Sequence, residues 1–67
     1  MYDRLSLRHW RQLRNLTQAQ LAEKTGLSTK SIYEYEADVE NLKNASFKRV
    51  EQIAAALDVA IDQIKFF

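Results

Sequence analysis

The 67 residues include one histidine, His9, and no cysteine, which removes most of the chemistry a small protein can hold. A structural zinc site draws its ligands from Cys and His, and an activated thiol needs a cysteine. The chain also has no Gly-rich phosphate loop, no two-histidine metal motif and no paired carboxylates with an evident cleft. Catalysis, metals and cofactors are therefore not expected. What remains is charge and hydrogen bonding. Arg4, Arg8, Arg11 and Arg14 cluster near the start, whereas Glu34, Glu36, Asp38 and Glu40 make an acidic stretch in the middle. A formal net charge of +1 does not by itself single out a polyanionic partner, so the placement of these groups matters more than their sum.

The elements that must place them read as helices. With no Pro, one Gly, and 46% hydrophobic and 28% charged residues, the composition is globular and the joints are short, so the expected class is all-α in one domain over 1–67. A chain of this length buries only about 60% of its unfolded surface, which leaves slender stability. No run approaches the ~18 apolar residues that span a bilayer. The N-terminus has no apolar signal segment, and a cytoplasmic location with no membrane partner is expected.

A first helix is expected from about Leu7 to Arg14, with Ser6 as N-cap and Leu7, Trp10 and Leu13 or Arg14 at helical spacing. Trp10 is expected in the core. Thr17 and Gln20 form a capping box, and Leu16 and Leu21 a hydrophobic staple, at the start of a second helix that runs to about Thr25. Gly26 then supplies the left-handed conformation that ends it. Ser28 caps a third helix almost at once, with Leu27 and Ile32 repeating the staple. From Asp38 to Asn44 the periodicity lapses. Ser46 caps a further helix on which Phe47, Val50, Ile53, Ala54 and Leu57 form one apolar stripe. Asp58 and Val59 break it, and Ile61 with Ile64 suggests a short fifth helix before Phe66 and Phe67.

Gln18 to Glu36 thus reads as helix, tight Gly-containing turn, helix. Small Ala22 faces Ile32 where the two must approach closely. Leu16-Thr17-Gln18-Ala19-Gln20-Leu21-Ala22-Glu23-Lys24-Thr25-Gly26-Leu27-Ser28 followed by Ser31-Ile32-Tyr33-Glu34-Tyr35-Glu36 resembles the helix-turn-helix of phage-type repressors, the Cro/cI or XRE family. The likeness extends back to Arg11 and forward through Ser46-Phe47-Lys48-Arg49-Val50 to Val59. It implies a five-helix lambda-repressor-like DNA-binding domain whose partner is double-stranded operator DNA.

The same resemblance assigns roles. The recognition helix, about 28–37, would lie in the major groove, with Ser28, Thr29, Lys30, Tyr33 and Glu34 as its DNA-binding residues. Lys30 would donate to guanine, Thr29 pack on a thymine methyl or hydrogen-bond, Glu34 accept from cytosine N4, and Tyr33 reach a phosphate. Ile32, Tyr35 and Glu36 would point inward. Lys30 and Glu34 are also spaced to pair with each other on a solvated face. Gln18 matches the family glutamine that holds a phosphate at a helix N-terminus, or is an ordinary first-turn residue. Arg11 and Glu36 match a structural arginine–glutamate pair that fixes the recognition helix. Arg8 and Arg14 would contact phosphates only if they face the groove.

The chain departs from the family after Glu36. The segment 37–45 lacks the usual Gly-containing turn and proline and is longer, so helix 3 could continue into it. Asp38 and Glu40 would repel phosphates there, leaving Lys43 and Lys48 as the basic contacts. Asn44-Ala45-Ser46 matches a glycosylation sequon by chance, Ser46 being a cap. Ile61, Ile64, Phe66 and Phe67 either close the monomer core or mark a partner surface, and a homodimer is expected from the second reading. No ligand-binding domain for a small molecule is expected. The competing function is a protein-interaction module, antitoxin-like or an anti-regulator, that keeps the fold with weak DNA binding.

Overall fold

The computed structural model describes residues 4–66. They form five α-helices: α1 (Leu7–Leu13), α2 (Gln18–Thr25), α3 (Thr29–Ala37), α4 (Val39–Lys43) and α5 (Phe47–Leu57), followed by a 3₁₀ turn at Ile61–Gln63. Each α-helix starts where a polar side chain accepts an otherwise orphaned amide. Ser6, Thr17, Ser28, Asp38 and Ser46 accept from the amides of His9, Gln20, Ser31, Glu40 and Arg49. Such a cap is worth about 1 kcal/mol. At α2 the box is reciprocal, because the Thr17 amide donates to Gln20 Oε1 at 2.8 Å.

The helix ends are as local. Gly26 takes φ +76° after α2, and Asn15 and Asp58 adopt the left-handed region after α1 and α5 with φ 57° and 58°. Thr25, buried just before Gly26, lends its hydroxyl to the Leu21 and Ala22 carbonyls and accepts from the Leu27 amide at 3.3 Å. That hydroxyl ties both sides of the α2–α3 turn.

The core gathers one apolar face from each helix. Leu7 and Trp10 of α1, Leu21 and Ala22 of α2, Ile32 and Tyr35 of α3, Leu42 of α4, and Val50, Ile53, Ala54 and Leu57 of α5 are buried together with Ile64. Both staple leucines, Leu16 and Leu27, pack against this cluster. α2 packs on α3 and on α5, and α1 packs on α3. Trp10 is a core residue, as expected, and its indole N–H donates to the Gln63 carbonyl at 2.8 Å.

Three expectations are corrected. Helix 3 neither continues through 38–44 nor gives way to an irregular loop. At Asp38 the backbone turns extended, φ −145° and ψ 118°, and α4 begins. Leu42, fully buried, anchors this extra turn of helix in the core, and the Asn41 side-chain amide reaches back to the Glu34 carbonyl at 3.0 Å. Phe47 is 69% exposed rather than part of the apolar stripe. It stands at the first position of α5, at the outer end of the stripe, where its ring is left largely to solvent. The expected fifth helix is one 3₁₀ turn, after which Ile64 forms a parallel bridge with Leu5.

That bridge also settles where the C-terminal apolar residues go. The Leu5 amide donates to the Gln63 carbonyl at 3.1 Å and the Lys65 amide to the Leu5 carbonyl at 2.9 Å. Ile64 is 1% exposed, and Ile61 and Phe66 are half-buried against the core. Ile61, Ile64 and Phe66 thus pack onto the monomer core, the first of the two readings of this tail. Phe67 lies outside the described residues, as does the start of the chain before Arg4.

Candidate nucleic-acid interface

The face of α3 away from the core carries Thr29, Lys30, Tyr33 and Glu34, all exposed. Tyr33 is 60% exposed. The opposite face carries Ile32 and Tyr35 in the core and Glu36 turned inward. The periodicity that assigned these residues to two faces is therefore realised in full. Among the described residues Lys30 and Glu34 form no ion pair with each other. The ion pairs there are Arg11–Glu36 and Lys43–Glu40. Lys30 and Glu34 are left open to a ligand.

The Ser28 side chain is engaged in the fold, accepting from the Ser31 amide at 3.1 Å and donating to the Ser31 hydroxyl at 3.0 Å. Its place is at the start of the exposed face, where it sets the orientation of the first turn. Lys43, expected as a basic contact, sits on α4 with its ammonium 3.3 Å from Glu40 Oε1. Both side chains are exposed, so this pairing holds Lys43 only weakly.

Behind the exposed face, α3 is fastened at several points. Arg11 Nε and Nη2 donate to Glu36 Oε2 and Oε1 at 2.6 and 3.1 Å, a two-point pairing, while Nη1 donates to the Leu16 carbonyl at 2.8 Å. The Gln18 side-chain amide adds a third donor to Glu36 at 3.2 Å. Planar guanidinium and carboxylate fix each other's orientation as well as distance, so α1 and α2 together set the rotation of α3. From the other side, Arg49 at the start of α5 donates to the Tyr35 hydroxyl at 2.9 Å. The links from Gln18 and Arg49 were not foreseen. Both join residues distant in sequence whose side chains have many exposed alternatives, and no local pattern signals such a bond.

The arginines of the first helix divide by role. Arg14 does not face the groove side. Its Nε donates to the Leu57 carbonyl at 2.8 Å, at the C-terminal end of α5, and its guanidinium lies 5.4 Å over the Trp10 ring. A cation at that end satisfies an orphaned carbonyl and complements the helix dipole. Arg8, by contrast, lies with Arg11, Gln18, Tyr33, Glu36 and Ala37 around an open cleft of about 340 Å³. Among the described residues no His, Asp and Glu side chains are grouped to hold a metal ion. No helix there is long and apolar enough to cross a membrane.

A family model described as helix-turn-helix matches residues 7–64. The chain belongs to the helix-turn-helix family. It is of the Cro/cI type, whose members are DNA-binding regulators, and the five helices with the α2–turn–α3 motif are the lambda-repressor-like arrangement. No curated protein and no solved structure matches the chain. Within the family frame, α3 is the second helix of the motif, the element that enters the major groove in helix-turn-helix proteins. The departure after Glu36 is now concrete: α4 (Val39–Lys43) lies within the 37–45 segment that lacks the usual Gly-containing turn and proline.

Proposed function

We propose that the chain, as a single domain over 1–67, binds double-stranded operator DNA with sequence specificity and represses transcription in the cytoplasm, two copies meeting a two-fold site. The recognition helix is 28–37. The observation that carries this reading is the exposed row of Thr29, Lys30, Tyr33 and Glu34 on a helix whose other face is locked by Glu36 and Tyr35. A rigid helix with a free polar face suits base-edge recognition, because hydrogen bonds to bases discriminate only when the donor cannot shift to suit another base.

Lys30 donates to guanine O6 and N7, Thr29 contacts a thymine methyl, and Glu34 accepts from cytosine N4. Gln18, at the first position of α2, keeps one amide N–H beyond the one given to Glu36 and lies beside exposed backbone amides, a setting that favours a phosphate. Lys43 is a peripheral phosphate contact released from Glu40 when DNA approaches.

Selection from random duplex DNA, repeated at two salt concentrations, tests the proposal. Enrichment of a two-fold symmetric site is expected, with half-sites about 34 Å apart. Lys30→Ala then relaxes preference at one base pair per half-site, and Gln18→Ala weakens all sequences alike. Absence of any enriched sequence sinks the operator model and leaves a protein-interaction module in its place. An enriched site without symmetry removes the two-copy arrangement alone.

A further inference from the structure

The two ends of the recognition helix are held by different parts of the chain. At its start the fastening is local, the Ser28 side chain accepting from the Ser31 amide at 3.1 Å and the Ser28 carbonyl from the Ile32 amide at 3.2 Å. At its end two donors arrive from α4 and from the first turn of α5. The Asn41 side-chain amide donates to the Glu34 carbonyl at 3.0 Å, and Arg49 Nη1 donates to the Tyr35 hydroxyl at 2.9 Å. The Glu34 carbonyl also accepts the Asp38 amide at 3.2 Å, the bond that closes the last turn of α3. Arg49 is not explained by α5 itself. A cation in the first turn opposes the helix dipole, that turn holds no acidic residue, and among the described residues the guanidinium forms no ion pair.

That end carries the base contact proposed for Glu34. Glu34 stands four residues beyond Lys30, which at a rise of about 1.5 Å per residue separates the two by about 6 Å along the groove. Tilting α3 by about 10° about its first turn moves residue 34 by roughly 1 Å and leaves residue 30 nearly in place, and a contact misplaced by that much loses its discrimination. A nine-residue helix does not hold its own last turn. The bonds from Arg11 and Gln18 to Glu36 hold this end from one side only, and a helix anchored on one side can still swing about the anchor. We propose that Arg49, together with Asn41, is a positioning residue for base recognition. From the side opposite Arg11 and Gln18 the two fix the last turn of α3 and so set the discrimination exerted by Glu34, acting through α3 and not on the duplex. The inference deepens the DNA-binding reading and rests on it for the base contact.

Tyr35→Phe in the full chain deletes the bond and leaves every charge in place, which makes it the deciding variant. In selection from random duplex DNA, Tyr35→Phe and Arg49→Met should each lower the preference at the Glu34 base pair roughly fivefold, with the Lys30 pair and the slope of log K against log salt unchanged. Arg49→Lys should restore most of it, because the bond uses one donor. Asn41→Ala should act in the same direction but more weakly, its bond being exposed. The second arm needs no duplex. In the DNA-free variants, amide hydrogen exchange should accelerate at Asp38, whose amide bonds the Glu34 carbonyl, and not at Ile32. If the parent enriches no sequence the operator reading has failed, and this arm alone decides whether the last turn is fastened as described, faster exchange at Asp38 upholding it and unchanged exchange overturning it. If DNA is bound and the preference at the Glu34 pair is unchanged, the proposal is overturned whatever exchange shows. It is overturned equally if Arg49→Met weakens all sequences alike and flattens the salt slope while Tyr35→Phe matches the parent, which would make Arg49 a direct phosphate contact. Equal losses at the Glu34 and Lys30 pairs, with faster exchange at Asp38 and Ile32 alike, would reduce the bond to general stability and overturn it too.

Discussion

Glu36→Ala removes the carboxylate on which three donors converge. The Glu36 side chain is 5% exposed and that of Arg11 is 13% exposed, so the substitution leaves a guanidinium that keeps its bond to the Leu16 carbonyl but has Nε and Nη2 without an acceptor. Breaking a buried pair from one side costs about 3–5 kcal/mol, because the surviving charge stays desolvated. Arg11 borders the open cleft and can turn partly towards water, which lowers the expected loss to about 2–4 kcal/mol. A 67-residue chain has in total roughly 3–10 kcal/mol of stability at about 0.05–0.15 kcal/mol per residue, so the variant stands near its unfolding threshold. Urea unfolding followed through the fluorescence of Trp10, the sole tryptophan, reads this directly. With a slope of about 1 kcal/mol/M, the midpoint should fall by roughly 2 M or more. Arg11→Met combined with Glu36→Leu should recover most of the loss, because no charge is then left buried. A fall of less than about 1 kcal/mol for Glu36→Ala would place the pair among ordinary solvated bridges, and a double variant as unstable as the single one would refute the unpaired-charge account.

Further outcomes follow from the same geometry. Gly26→Ala should cost about 1–2 kcal/mol through backbone strain alone, since φ is +76° and the added methyl would meet nothing within 4 Å. Gly26→Asn should lose less, and equal thermal midpoints for the two would contradict this. Trp10→Phe should cost on the order of 1–3 kcal/mol, because the Gln63 carbonyl keeps only the Leu5 amide as donor and a buried ring shrinks. Hydrogen exchange at the Leu5 and Lys65 amides should then accelerate beyond the global change. Phe47→Ser should leave the urea midpoint within about 0.5 kcal/mol of the parent, as expected for an exposed site. A larger loss would show that the ring is covered.

The parts of this fold legible in the sequence are those governed by interactions within a few residues. Caps need a hydroxyl or carboxylate two or three positions before a free amide, so Ser6, Thr17, Ser28 and Ser46 mark helix starts wherever the chain folds. Gly26 is the one residue here that turns left-handed without steric cost, and helical spacing alone divides Thr29, Lys30, Tyr33 and Glu34 from Ile32, Tyr35 and Glu36. The Arg11–Glu36 pair was legible for another reason, through the family resemblance.

Tertiary structure decided what depends on partners far along the chain. The length of α3 turned on Asp38, whose side chain caps α4 as its backbone leaves the helix. The burial of Leu42 then holds an element too short to persist alone. An apolar stripe states which face of α5 points inward but not where along it burial ends, so Phe47 remained outside. Ile64 and Phe66 read equally as core or as partner surface until the Leu5–Ile64 bridge drew the tail onto the core. Four arginines within eleven positions look alike in the sequence, yet only the packed helices assign one to the end of α5, one to Glu36, and leave Arg8 facing an open cleft. Charge and helical phase are properties of a residue and its near neighbours, whereas availability for a ligand is what remains once the fold has used the rest.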